Sequence, residues 1–361
     1  MTDEACIRRT LSLARRAEGM TSPNPMVGAV VVKHGRIIAE GYHRKAGTAH
    51  AEVIAIEKAG MDAAGSTLYV SLEPCCHKDK RTPPCTEMII AAKIIKVVVA
   101  IKDPNPKVSG KGIEELRKAG IEVVSGILED EARQLNEFYI RHITGHLPFV
   151  ILKVAMTLDG KIATPDGESK WITGEKARKE VHRLRGKVDA ILTAIGTIKA
   201  DDPLLTCRTG RMRSPMRIIL DPDLSIKRNA RILTCPPRTI LVASDRASKK
   251  RQEQFQKKGI SIMEHGGSRV DLHWLMKRLG AQGIVSVLIE GGSSLASSCL
   301  EEGIVDKVIC YIAPKIIGGE KSFPAVGGKT FRSLQHAHAL TRTSIRRVGD
   351  DIVIEGYLNK P

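Results

Sequence analysis

The sequence predicts an α/β protein built as two domains in tandem. Three observations carry that expectation. The chain has 361 residues, whereas a soluble domain usually holds about 100–200. Runs rich in β-branched residues, which read as strands, alternate with stretches that read as helices, and that order gives a sheet with helices packed on it. The alternation breaks at Thr144-Gly145-His146-Leu147-Pro148. The expected domains are therefore residues 1–145 and 148–361. No internal repeat or low-complexity tract interrupts either half, and the halves do not resemble each other.

In the first half, residues 3–18 read as a helix. MVGAVVVKHGRIIAEGYH holds two strand-like runs broken at His34-Gly35 and reads as a hairpin. Residues 50–60 read as a helix, STLYVSLEP as a strand ending in a Pro turn, TEMIIAAK as a short helix and KVVVAIKDP as a strand. IEELRKAG is a helix closed by Gly120, IEVVSG the next strand, and a helix covers about 130–142. In the second half FVILKVAM, DAILTAIG, MRIILD, TILVAS, VSVLIEGG and KVICYIAP read as strands with helices between them.

Composition narrows the function. Lys and Arg exceed Asp and Glu by 17, with an excess of 3 in residues 1–147 and 14 in residues 148–361. A basic half points to nucleic acid or to phosphorylated small molecules. Aromatic residues are only 3% of the chain, too few for the stacking platforms that bind single strands, so the expected partner is a phosphorylated small molecule and not nucleic acid. No apolar run reaches the roughly 18 residues of a membrane span, and the charged N-terminus lacks the pattern of a secretory signal; the expectation is a cytoplasmic protein with no membrane partner. Of 8 cysteines, three cluster between 75 and 85. In a large chain of that compartment such a cluster reads as metal ligation before disulfide.

The metal reading rests on His50-Ala51-Glu52, Glu73-Pro74-Cys75 and Pro84-Cys85. One His and two Cys can hold Zn²⁺ and leave a fourth tetrahedral position for water, and a carboxylate outside the ligand set must then carry the proton. Glu52 is placed for that. Deep in a helix, positions i and i+2 point about 200° apart, so His50 and Glu52 converge only if His50 lies at the first turn, with Thr48 as the expected cap. Cys85 follows two prolines at another expected helix start, where the dipole favours a thiolate. A purely structural zinc would need a fourth ligand from Cys76 or His77.

With SPNPMVGAVVV, HAE, LEPCCHKDKRTPPC and KDPNPKVSGKGIEELRKAGIEV, the first half resembles the deaminase domain of the bifunctional deaminase/reductases of riboflavin biosynthesis, over all of residues 1–145. The resemblance implies a cytidine-deaminase-like three-layer fold and one zinc per chain on His50, Cys75 and Cys85. It further implies that Asn24 and His43 line the pyrimidine site and that His77 and Arg81 approach the substrate phosphate. The loop between Cys75 and Cys85 is one residue longer than usual in that family, so Lys78, Lys80 and Arg81 all stand as candidates for the phosphate.

The second half has no G-x-G-x-x-G. It has LIEGGSSLASS instead, an apolar strand and a Gly-rich turn leading into a helix start, which suits phosphate or pyrophosphate. With LKVAMTLDGKIA, GESKWITG and AIGTIKADDPLLTCR it resembles the reductase domain of the same family, similar in fold to dihydrofolate reductase. Thr157 stands where Ser is usual and keeps the hydroxyl. The resemblance implies that Ala155, Trp171, Thr197, Asp201 and the turn Gly292, Ser293, Ser294, Leu295, Ala296, Ser297 and Ser298 contact NADPH. It implies that Ser169, Arg185, Leu205, Arg208 and Glu290 contact substrate, the two arginines by forking onto phosphate oxygens and Leu205 through its backbone or by packing. Lys153 is a further candidate at the reacting ribose. The family also implies a homo-oligomer, a dimer or a tetramer. The expected reactions are hydrolytic deamination of a phosphoribosylated diaminopyrimidinone and NADPH reduction of the product's ribosyl chain. The competing expectation is a nucleic-acid deaminase, such as one acting on tRNA adenosine, carrying an accessory domain.

Overall fold

The computed structural model describes residues 1–77, 83–210, 212–328 and 333–358. It divides into two compact units, Met1–Leu147 and Pro148–Pro361. Among the described residues no helix is long and apolar enough to cross a membrane.

In chain order the first unit holds α1 (Asp3–Ala14), β1 (Gly28–Lys33), β2 (Arg36–Tyr42), α2 (Ala51–Ala59), β3 (Thr67–Val70), α3 (Cys85–Ala91), β4 (Lys96–Val99), α4 (Lys111–Lys118), β5 (Glu122–Ser125), α5 (Glu129–Leu135) and α6 (Glu137–Gly145). Its sheet runs β2-β1-β3-β4-β5. β1 is antiparallel to both neighbours, and β3, β4 and β5 are parallel. The first five residues of β1 are all buried, as a strand covered by helices on both faces must be. His34 and Gly35, at the hairpin turn, both have positive φ, the backbone of a tight hairpin connection.

Close packing brings α2 and α4 to the site. A Cβ on Gly41 of β2 would sit 2.3 Å from the Ala51 carbonyl, and one on Gly112 of α4 would sit 2.2 Å from the Pro74 carbonyl. Both positions need glycine because a helix and a loop that carry site residues lie against them. Two sequence expectations are corrected here. Thr48 does not cap α2; its hydroxyl bonds the Lys45 carbonyl at 2.8 Å, and His50 itself is the capping residue, with extended backbone. The helix expected over 130–142 is two helices that meet at Asn136, where φ is −108° and ψ 23°.

The second unit holds β6 (Phe149–Thr157), β7 (Lys161–Ala163), α7 (Glu175–Lys187), β8 (Ala190–Ala194), α8 (Ile195–Asp201), β9 (Met216–Leu220), α9 (Arg231–Thr234), β10 (Thr239–Ala243), α10 (Lys249–Gln256), β11 (Ser261–Glu264), α11 (Leu272–Ala281), β12 (Ser286–Ile289), α12 (Ser293–Glu301), β13 (Lys307–Ala313), β14 (Phe323–Pro324), β15 (Leu340–Val348) and β16 (Asp351–Leu358). The sheet has nine strands in the order β11-β10-β9-β8-β12-β6-β13-β16-β15. It is parallel from β11 to β13, and β16 and β15 close it as an antiparallel hairpin. That hairpin differs from expectation, since no strand is expected after KVICYIAP. β15 is polar and mostly exposed, so it lacks the apolar run that marks a strand. The nonconsecutive order brings the ends of β6, β8 and β12 side by side, which is where ligands bind in open α/β sheets.

Candidate active sites

The first site forms where two helices begin beside the loop after β3. His50 precedes α2, and Cys85 is the first residue of α3. The Cys85 amide donates to the Cys75 carbonyl at 2.9 Å, which pins the two thiols together. His50 Nδ1 lies 3.2 Å from Cys85 Sγ and 3.4 Å from Cys75 Sγ. The three ligand atoms all lie within 4.8 Å of one another, and Cys76 and His77 stand outside that group. Three donors of these types converging on one point fit a tetrahedral zinc with one position left open.

Glu52, on the first turn of α2, is 3% exposed, and its Oε2 has no hydrogen-bond partner. Burial and the nearby Cys75 sulfur push its carboxyl pKa up, the environment of a group suited to taking a proton. A buried carboxylate oxygen left without a donor is expensive as mere structure. It makes sense opposite a bound metal and water.

Asn24 and His43 come together beside the metal ligands. Asn24 Nδ2 lies 3.1 Å from His43 Nε2, and His43 Nδ1 lies 3.1 Å from the Ala49 carbonyl. A carbonyl can only accept, so Nδ1 carries the proton and Nε2 accepts from the Asn24 amide. Burial lowers the His43 pKa and keeps the ring neutral. His43 is a buried strand-end residue, and its ring meets that of His50 edge-on, 5.4 Å between centroids. His77 is half-buried. Arg81, with Lys78 and Lys80, lies outside the described residues.

Residues without a role in the sequence reading support this site. Glu73 is buried and accepts from the amides of Asp103 (3.1 Å), Gly110 (2.9 Å) and Ile113 (3.1 Å), which ties the Cys75 loop to the start of α4. Asp103 accepts from the Asn105 amide and the Tyr139 hydroxyl, both at 2.9 Å, and burial raises its pKa to about 6. The Glu-Pro-Cys and Lys-Asp-Pro-Asn-Pro motifs are the sequence signal of these contacts.

The second site gathers on the ends of β6, β8 and β12. Glu290 follows β12, is 6% exposed, and holds two cations. Arg185 of α7 donates to it from Nε at 2.6 Å and Nη2 at 3.0 Å, and Lys153 Nζ of β6 lies 2.9 Å away. Burial alone would raise the Glu290 pKa, but Arg185 and Lys153 outweigh it and hold the carboxyl well below the usual range. The Arg185 edge expected to fork a phosphate is therefore turned on Glu290; only Nη1 faces elsewhere, to the Thr206 carbonyl at 3.2 Å. His182, which the sequence reading passes over, donates to that same carbonyl from Nδ1 at 3.0 Å. These bonds fix the loop that carries Leu205 and Arg208. Leu205 has φ +50° and a buried side chain. Arg208 is exposed.

The remaining expected residues lie on β6, on the loop before α7, on α8 and at the start of α12. Lys153 and Ala155 alternate on one face of β6, both half-buried. Ser169 Oγ donates to Asp201 Oδ1 at 3.1 Å, joining the loop before α7 to the end of α8, on which Thr197 sits half-buried. Trp171 is 64% exposed and is not a core aromatic; the Arg178 guanidinium stacks 4.5 Å over its ring. Gly292 precedes α12, whose first intrahelical bond runs from the Ala296 amide to the Gly292 carbonyl. The amides of Ser293, Ser294 and Leu295 thus stand at the open helix end. The seven-residue run cannot all face one ligand, because a helix turns about 100° per residue. Leu295 and Ala296 bury their side chains. Ser297 donates to Glu301 at 2.7 Å, and Ser298 accepts from Arg269 at 3.1 Å.

A family model for the cytidine and deoxycytidylate deaminase zinc-binding region matches residues 1–101, and one for the RibD C-terminal domain matches residues 148–354. The chain belongs to the RibD family. The riboflavin biosynthesis protein RibD of Actinobacillus pleuropneumoniae is 42% identical over 364 residues, covering 100% of this chain and 96% of its own length. That of Escherichia coli is 40% identical, covering 98% and 99%. Acinetobacter baumannii RibD superposes with a TM-score of 0.90 at 37% identity, covering 99% of both chains. A diaminohydroxyphosphoribosylaminopyrimidine deaminase/5-amino-6-(5-phosphoribosylamino)uracil reductase from Thermotoga maritima superposes with a TM-score of 0.89 at 37% identity and the same coverage. RibD membership accounts for both halves, with a cytidine-deaminase-like fold first and a dihydrofolate-reductase-like fold second.

Proposed function

We propose that this chain performs two consecutive reactions of riboflavin biosynthesis. It deaminates 2,5-diamino-6-(5-phosphoribosylamino)pyrimidin-4(3H)-one to 5-amino-6-(5-phosphoribosylamino)uracil, then reduces the ribosyl chain of that product to ribityl. The observation that carries the first reaction is the unpartnered Oε2 of buried Glu52 beside the His50, Cys75 and Cys85 donor set. His50, Cys75 and Cys85 would hold one zinc, which when bound makes a water acidic enough to give up a proton near neutral pH. Glu52 takes that proton and delivers it to the ring nitrogen as the water oxygen adds to the ring carbon; it then carries the second proton of the added water to the amine, the C–N bond breaks and ammonia leaves. Asn24 and His43 hold the pyrimidine, and Arg81 with His77 holds its phosphate.

In the second reaction NADPH supplies the hydride. Ala155, Trp171, Thr197, Asp201 and the open end of α12 hold the cofactor. Lys153, kept in place by Glu290, reaches the reacting ribose. Ser169, the Leu205 backbone and Arg208 hold the rest of the substrate, and the basic second half suits its phosphate. A deaminase acting on nucleic acid would leave this domain without a task. The enzyme works in the cytoplasm as a homo-oligomer, a dimer or a tetramer, which sedimentation can measure.

The test follows ammonia release and NADPH oxidation together on the phosphoribosylated diaminopyrimidinone. The expected result is NADPH consumption only after ammonia appears. Ammonia release with no NADPH oxidation would contradict the second half of the proposal, and no ammonia release the first.

A further inference from the structure

Asn24 is held on its N-terminal side, where its amide donates to the Thr21 carbonyl at 2.8 Å, but the side toward β1 needs another anchor. The run is Pro23-Asn24-Pro25-Met26, and a proline has no backbone N–H to give to a sheet ladder. Between Asn24 and the start of β1 the first available amide is that of Met26. It does not pair with a strand. It donates to Asn136 Oδ1 at 2.8 Å, while Asn136 Nδ2 donates to the Met26 carbonyl at 3.0 Å. One side-chain amide thus satisfies both backbone groups of Met26, as a neighboring strand would. A carboxamide can do this because it carries a donor and an acceptor side by side.

Asn136 is 3% exposed and sits at the kink between α5 and α6 that the sequence reading missed. The contacts run on without a gap. From Asn136 they pass to Met26, along the chain to Asn24, from the Asn24 amide to His43 Nε2, and from His43 Nδ1–H to the Ala49 carbonyl, next to His50. The next residue, Val27, accepts the His43 amide at 2.9 Å, so the segment and His43 are held from both ends. One helical turn on, Tyr139 reaches the Asp103 loop, so the same helix pair braces two loops of the site.

We infer that Asn136 is a positioning residue of the deaminase, acting through Asn24 and touching neither substrate nor metal. This inference rests on the deaminase reading above. The test is a double-mutant cycle for ammonia release, with zinc content measured on each variant of the full chain. Asn136→Ala should retain zinc and lower kcat/KM about tenfold, because it removes both hydrogen bonds to Met26. Asn24→Ala should lower it at least as much. The double variant should be no slower than Asn24→Ala alone, since a residue acting only through Asn24 has nothing left to position. Reduction of directly supplied deaminated substrate should be unchanged in all three.

Multiplicative losses in the double variant, or an Asn136→Ala enzyme as fast as the parent, would overturn the inference. If the alanine variant loses zinc, Asn136→Asp keeps the volume and the acceptor for the Met26 amide but sets an oxygen against the Met26 carbonyl. Zinc retained with a tenfold loss supports the inference; parental speed, or zinc lost here too, overturns it. A parent chain that releases no ammonia would instead overturn the deaminase reading itself.

Discussion

Glu52 and Glu290 are the same residue type at nearly the same depth, 3% and 6% exposed, yet their environments push them in opposite directions. Glu52 keeps one oxygen without a partner, and burial raises its pKa. Glu290 gives both oxygens to Arg185 and Lys153, and those cations hold its pKa down against the same burial. Burial alone sets neither role; the neighbors decide. A buried carboxyl with one oxygen open can accept and return a proton. A doubly paired one stays ionized and serves as an anchor for the cations around it.

The largest expected effect comes from removing the Glu52 carboxylate. Glu52→Gln should slow ammonia release by about 10³-fold or more, at the upper end of what a proton-transferring group contributes, with zinc content unchanged. Near-parental turnover would show that the unpaired oxygen does not carry the proton.

Glu290→Gln breaks the other side of the comparison. It leaves Arg185 and Lys153 buried without a counter-charge, a change that costs about 3–5 kcal/mol. Both tryptophans, Trp171 and Trp274, lie in the second half, so fluorescence-detected urea unfolding reports on that unit. The pH dependence sharpens the test. A carboxyl whose folded pKa lies below its ordinary 4.5 contributes stability that is fully present above that value and lost as pH falls through the folded pKa. The stability gap between parent and Glu290→Gln should therefore stay constant from about pH 8 down to about pH 4.5 and close only below it. A gap that closes near neutrality would mean that Glu290 is not held ionized.

The smallest expected effect is at Arg208, exposed on the loop that Arg185 and His182 fix. Arg208→Ala should raise the reductase KM about tenfold, the scale of one charge-assisted phosphate contact, with kcat within about twofold and ammonia release intact. An unchanged KM would remove Arg208 from the phosphate site.

The same contrast explains what was legible in the sequence. His50, Glu52, Cys75 and Cys85 sit in short motifs at helix starts, so local spacing nearly defines their geometry, and the strand–helix alternation gave most elements of both units. What local spacing cannot show is a partner far along the chain. Asn136 meets Met26 across 110 residues and Arg185 meets Glu290 across 105. The kink at Asn136, the Arg185–Glu290 pair and the contact of His182 with the Thr206 carbonyl all belong to that class. The edge strand β15 escaped for a different reason: it is polar and exposed, with no apolar run to announce it, and without it β16 has no visible hairpin partner.

The central claim is that one chain carries two sites, one dependent on a metal held by His50, Cys75 and Cys85 and the other independent of it. The most direct measurement strips the metal with a chelator and assays the two half-reactions separately. Ammonia release from the diaminopyrimidinone should stop and return on adding zinc, while NADPH oxidation on supplied 5-amino-6-(5-phosphoribosylamino)uracil continues at the parental rate. Ammonia release that survives complete metal removal, or NADPH oxidation that stops with it, would contradict the account.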